Sequence, residues 1–106
     1  KRVEEARRRE ENRQRKEQEI HLVKELVNKA EDYRIAKEIR EYIQAMIDSG
    51  SEDITPEWIE WAEKKADWYD PSIATEDEYL GKRHHEKSAE EKEKSLQDSI
   101  RKNWYW

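Results

Sequence analysis

Residues 58–71 read WIEWAEKKADWYDP, and this stretch holds three of the chain's five tryptophans. At 100° per residue, Trp58, Trp61, Ala62, Lys65 and Tyr69 gather on one side of a helix, with Ala66 and Trp68 at its flanks. Glu60, Glu63, Lys64, Asp67 and Asp70 occupy the other side. The small residues Ala62 and Ala66 sit between the large rings, which lets a second helix approach closely. A binding platform has no need of that alternation, whereas a packed core does. Each indole buries on the order of 150–250 Å², a large apolar contribution at about 25 cal/mol per Å².

The limits of this helix are marked. Thr55 supplies an N-cap hydroxyl, Pro56 suits the first helical position, and Glu57 places an acid at the positive end. Ile54 can fold back on Ile59 as a hydrophobic staple. Asp70 precedes Pro71 and is therefore disfavoured in helix, so the element stops near it.

Its partner lies upstream. Ile35, Ala36, Ile39, Tyr42, Ile43, Met46 and Ile47 share one helical face, and Ser49-Gly50-Ser51 ends that helix with Gly50 as a left-handed cap. An earlier stripe of Leu22, Val23, Leu26, Val27, Ala30 and Tyr33 lies about 170° away if the helix runs straight through. Either the helix breaks near Asp32, which would cap its second part, or one long helix has partners on opposite sides. The break is the preferred reading, although no Gly or Pro marks it. The expected core is Trp58, Trp61, Trp68, Tyr69, Ile39, Tyr42 and Ile43.

Composition sets the scale. The 106 residues suffice for one small domain; 46% are charged and 33% hydrophobic, with two Gly and two Pro. Few apolar residues mean a small core, and this residue mix favours helix almost throughout. The chain has no cysteine, which excludes disulfides, thiolate metal sites and cysteine nucleophiles and accords with a cytoplasmic location. No apolar run reaches the ~18 residues of a membrane span. The chain begins at Lys1 in mid-helical composition, as a piece of a longer protein would.

Charge is uneven. Residues 1–19 balance to +2 and residues 20–106 to −7. Residues 1–19 form a charged linker helix by this reading, supported by Glu4–Arg8, Glu5–Arg9 and Glu11–Arg15 pairs four apart. The positions that follow Val3 and Ala6 in heptad steps are Glu10, Arg13 and Glu17, so no coiled-coil seam starts there. The alternative is a nucleic-acid-associated module using Arg7, Arg8, Arg9, Arg13, Arg15 and Lys16. The interleaved glutamates and the net charge of −5 weigh against it.

After Pro71, Thr75-Glu76-Asp77-Glu78 reads as the start of a short helix through Leu80 to Gly81. Residues 20–81 form the expected helical bundle core and 82–106 a polar arm. Ser88 with Glu91 forms a capping box for a last helix from about 89 to 104, with Leu96, Ile100 and Trp104 on one stripe. Residues 82–95 have almost no apolar surface with which to hold themselves against the domain. Trp104, Tyr105 and Trp106 are read as a docking element for a partner, in preference to a cap on the chain's own bundle.

The candidates for chemistry are few. Adjacent His84 and His85, near Asp77, Glu78 and Glu86, lack the spacing of a metal site and read as a solvated loop. Asp67 and Asp70 read as structural acids, with Arg40 their foremost partner. No phosphate loop, nucleophile elbow or localisable catalytic set appears. The expectation is therefore no catalysis, cofactor or metal.

Two spacings together carry a resemblance: Ala30, Tyr33, Ala36, Ile39-Arg40, Tyr42-Ile43, Ala45, and Trp58, Trp61-Ala62, Ala66-Asp67, Asp70-Pro71. They resemble the C-terminal module of a family of uncharacterised bacterial proteins, over roughly residues 1–71. In that family a mixed α/β part is followed by an Arg/Glu-rich helix and then this module. The resemblance implies no activity. It implies that residues 1–19 join this module to another part of the protein. The reading as a whole is all-α: a long charged N-terminal helix leading into a small bundle with a C-terminal helical arm. The role expected of it is structural or protein–protein interaction, with a protein partner, the chain's own missing N-terminal part or self-association.

Overall fold

A computed structural model describes the backbone of residues 1–104 and the side chains of residues 1–100. The described residues form three helices: α1 (Arg2–Ser49), α2 (Pro56–Tyr69) and α3 (Ala89–Trp104). The fold is all-α, as the composition predicts.

The helix does not break at Asp32. It runs through unbroken for 48 residues. No Gly or Pro interrupts residues 2–49, and Asp32 does not cap a new helix. Its side chain is buried and turned sideways into a set of ion pairs, so it never competes with the helical backbone. Gly50 ends α1 in the left-handed conformation, at φ 66°, with its N–H donating to the Ile47 carbonyl. Exposed ion pairs line the outside of α1, but not the expected ones. Glu11 pairs with Arg7, and Arg13 joins Glu10 to Glu17. Arg34 likewise joins Glu31 to Glu38. Such solvated pairs are screened by water and add little to stability.

The start of α2 follows the sequence closely. The Thr55 hydroxyl accepts from the Trp58 N–H at 3.1 Å and Pro56 takes the first helical position. α2 lies against the 35–46 half of α1, with Ala36, Ile43, Ala62 and Ala66 buried between them. The alanines are the contact that lets the axes approach. Arg40 on α1 clasps the end of α2, donating to Asp70 Oδ2 at 2.8 Å and Asp67 Oδ1 at 3.1 Å. Asp70 also accepts from the Ser72 backbone and hydroxyl, which turns the chain away from the helix.

The large rings are not all core. Trp61 and Tyr42, both expected inside, are each 56% exposed. Trp58 and Tyr69 are half-buried, as is Ile39. Trp58 meets Tyr42 edge to face at 6.2 Å, at the rim of the α1–α2 contact. Trp68, placed only at the flank by the helical wheel, is the buried ring. A wheel describes one partner helix; Trp68 is covered instead by the loop that follows α2. The rings therefore rank in a testable order. Trp61→Ala should change stability by no more than about 0.5 kcal/mol, and Trp58→Ala by roughly 1–2 kcal/mol, less than a fully buried aromatic. Urea unfolding monitored by circular dichroism measures both, and a larger loss for Trp61→Ala than for Trp58→Ala would contradict this ranking.

The loop contains no helix at 75–81. Asp77 and Gly81 exchange backbone hydrogen bonds at 3.0 and 2.9 Å. Asp77 Oδ1 also accepts from the N–H groups of Tyr79 and Leu80, each at 2.9 Å. An aspartate that satisfies two backbone donors this way favours a tight turn over a helix. Its other oxygen pairs with Lys65, and Gly81 closes the turn at φ 71°. The Gly81 carbonyl then accepts from the Trp68 indole at 2.8 Å. α3 opens with half of the expected capping box: the Ser88 hydroxyl accepts from the Glu91 N–H, and the Glu91 carboxylate accepts from that same hydroxyl.

Candidate functional site

Two features of α1 stand out, and they lie on different faces. The first is the stripe Leu22, Val23, Leu26, Val27, Ala30 and Tyr33. α2 covers the face that carries Ala36 and Ile43, so an unbroken helix turns the earlier stripe away from it. All six residues are exposed, Leu26 to 65%. Single exposed aliphatics are ordinary on a protein surface. Five large apolar side chains within about three turns of one face form a contiguous patch, which marks a contact surface.

The second feature is a buried charge cluster around Asp32, whose side chain is 1% exposed. Arg83 donates from Nε to Oδ2 at 2.8 Å and from Nη2 to Oδ1 at 2.9 Å, a bidentate pairing. His85 Nδ1 lies 2.8 Å from Oδ2 and Lys92 Nζ 3.0 Å from the same oxygen. Lys92 also donates to the Asn28 carbonyl at 3.3 Å, and the Asn28 side-chain amide donates to the Glu86 carbonyl at 2.9 Å. The Arg83 guanidinium lies over the rings of Trp68 and Tyr69, 5.0 and 4.5 Å from their centroids. No buried side-chain N or O atom among the described residues lacks a hydrogen-bond partner. Burial pushes the Asp32 carboxyl up; hydrogen bonds from Arg83, Lys92 and His85 and the arginine charge outweigh it and leave the carboxyl below its ordinary value.

This cluster corrects the expectation that residues 82–95 cannot hold themselves to the domain. They have little apolar surface, as the sequence shows, but hydrogen-bonded charges replace it. Arg83, His85 and Lys92 reach one carboxylate from a loop and a helix distant in sequence. His85 is thus a structural partner of Asp32 rather than part of a solvated loop. His84 is exposed and lies 3.8 Å from Glu86. Asp32 was missed as an anchor because it reads well as a cap. One signal was present: it sits one turn before Ala36 on the covered face, where an unpartnered carboxylate would not be tolerated.

A cavity of about 120 Å³ between the 80–84 loop and α3 is lined by Trp68, Leu80, Arg83, Lys92 and Leu96 among others. Arg83 and Lys92 are already committed to Asp32 there. No group of three or more His, Cys, Asp or Glu able to hold a metal ion occurs among the described residues. No helix among them is long and apolar enough to cross a membrane.

The remaining site residues are dispersed. Arg7 and Arg13 are engaged by glutamates of their own helix. Arg8, Arg9, Arg15 and Lys16 are exposed on one side of the same rod, where Glu5, Asn12 and Glu19 are interleaved with them. Trp104 ends α3, and the docking role read for its side chain and for Tyr105 and Trp106 falls outside the described residues. Compared with protein-family models, curated proteins and solved structures, the chain matches none.

Proposed function

We propose that the chain is a protein–protein interaction module of a larger bacterial protein, and that it works through the exposed stripe of α1. The observation that carries this reading is the position of Leu22, Val23, Leu26, Val27 and Tyr33 on the face turned away from α2. The α1–α2 contact and the Asp32 cluster satisfy the other side of the helix and hold it straight. The stripe is then a ridge that nothing among the described residues covers, and another molecule would remove its apolar surface from water. The bacterial setting comes from the sequence resemblance and is part of the proposal.

The reading is tested by a photo-crosslinking amino acid at position 26 of the intact protein, irradiated in cells that make it. The expected result is a covalent adduct to protein that disappears when Val23 and Val27 are both changed to Asp. Adducts to nucleic acid alone would favour the nucleic-acid-associated alternative. Absence of any adduct, with the substituted protein folded and present, would overturn the interaction reading.

A further inference from the structure

We infer that the molecule seated on this stripe is a second copy of the same chain, its α1 running antiparallel. The inference rests on the interaction reading above and names the partner. Val23, Leu26, Ala30 and Tyr33 follow steps of three, four and three, the spacing of a coiled-coil seam, with Leu22 and Val27 on its flanks. Two heptads alone do not fix direction. The charges on the same face do.

Residues on that face continue at both ends of the stripe: Arg8, Asn12, Arg15 and Glu19 before it, Lys37, Glu41, Gln44 and Asp48 after it. When two copies cross antiparallel about a dyad at the level of Asn28, the a and d layers of the seam meet each other. Val23 then faces Tyr33 and Leu26 faces Ala30, large against small. In the same register Glu19 faces Lys37, Arg15 faces Glu41, Asn12 faces Gln44 and Arg8 faces Asp48. Every charged pair on the seam has opposite sign, and each occurs twice by symmetry. A parallel pairing sets each of these charges against its own copy, Arg8 on Arg8 and Glu41 on Glu41, which is repulsive throughout. Arg8, Arg15, Glu19, Lys37 and Glu41 make no ion pair among the described residues, and Asp48 accepts only from Gln44 at 2.9 Å. They are available to a partner.

The overlap from residue 8 to 48 is about 60 Å at 1.5 Å per residue. It lies wholly within the described part of α1 and opposite the face that α2 covers. Neither α2 nor the 82–92 segment stands in its way, since both pack on the far side of the rod.

Sedimentation equilibrium of the chain tests the inference. The mass should rise from one chain to two as concentration approaches about 100 μM. Leu26→Glu should leave a helical monomer. Arg15→Glu and Glu41→Arg should each weaken dimerisation at least about tenfold, and the double variant should regain most of it, because only the antiparallel register places these positions together. The chain has no cysteine, so Leu26→Cys mixed with Ala30→Cys should give a mixed disulfide faster than either gives a homodisulfide. A monomer at every concentration, or faster Leu26→Cys homodisulfide formation, would overturn the inference. If the wild type stays monomeric while the crosslinker at position 26 still reaches another protein, self-pairing fails and the interaction reading survives.

Discussion

Replacing Asp32 with alanine is expected to cost about 3–5 kcal/mol, the range for removing one partner from a buried ion pair. A chain of this size has about 5–15 kcal/mol of stability in total, so the loss is a large share of it. The reason is specific. One carboxylate faces Arg83, His85 and Lys92, and its removal leaves a largely buried arginine and lysine without the carboxylate that pairs with them. The 82–92 segment should then detach, because nothing apolar replaces the cluster. Denaturant unfolding at neutral pH measures the loss, and amide exchange should rise across residues 82–95 ahead of α2. A variant within about 1 kcal/mol of wild type, with the segment still protected, would show that the cluster is not what holds it.

Acid should reproduce part of this effect. The Asp32 carboxyl titrates below its ordinary value when folded, so the unfolded chain binds the proton first. Its contribution is present above the unfolded value of about 4 and is lost as pH falls through the lower folded value. Asp70 and Asp77 are lowered too, burial opposing and Ser72 with Arg40, or Lys65 with backbone N–H groups, prevailing. All three therefore weaken the fold in the same direction on acidification. The difference in stability between wild type and the Asp32→Ala variant isolates the Asp32 share, and it should shrink as pH is lowered from about 5 toward 2.

The second large effect falls on Trp68. Its side chain is 2% exposed, meets Tyr69 edge to face at 5.1 Å, supports the Arg83 guanidinium and donates to Gly81. Trp68→Ala should cost about 3–5 kcal/mol through the cavity it leaves, with the indole hydrogen bond to the Gly81 carbonyl lost as well. Trp68→Phe should cost less, since a ring remains under Arg83 while the indole N–H is lost. The two variants separate packing from hydrogen bonding in one set of urea melts. Equal losses from Phe and Ala would mean that the hydrogen bond to Gly81 dominates.

Trp68 and Asp32 also show where the sequence was legible and where it was not. Helix boundaries were readable because they depend on a few neighbouring residues: Gly50, Thr55-Pro56 and Ser88 with Glu91 each act within one turn. The Arg40 clasp was readable too, because only one arginine lies among the apolar positions that face the tryptophan helix. The Asp32 cluster was not, since Arg83 and Lys92 lie 51 and 60 positions further along the chain and no periodicity links them. The 75–81 turn was misread because the side chain of Asp77 outbids the helical backbone for two donors, a local competition that a cap-like pattern does not reveal. The stripe from Leu22 to Tyr33 was fully visible. Its significance depended on whether α1 broke at Asp32, and only a continuous rod leaves it facing outward.

That rod has a hydrodynamic consequence. The chain measures 76 × 40 × 18 Å, with a radius of gyration of 20.6 Å. A compact chain of this length would have a radius of about 13 Å. Such a shape drags more solvent than a sphere of equal mass and tumbles slowly about its short axes. A single chain of 13.0 kDa therefore elutes from a sizing column ahead of its true mass, where a compact dimer would be expected. Its stoichiometry has to be weighed by light scattering or equilibrium sedimentation, for which elongation does not matter. The same anisotropy makes its rotational diffusion, followed through the tryptophans, a direct gauge of whether α1 stays straight in solution.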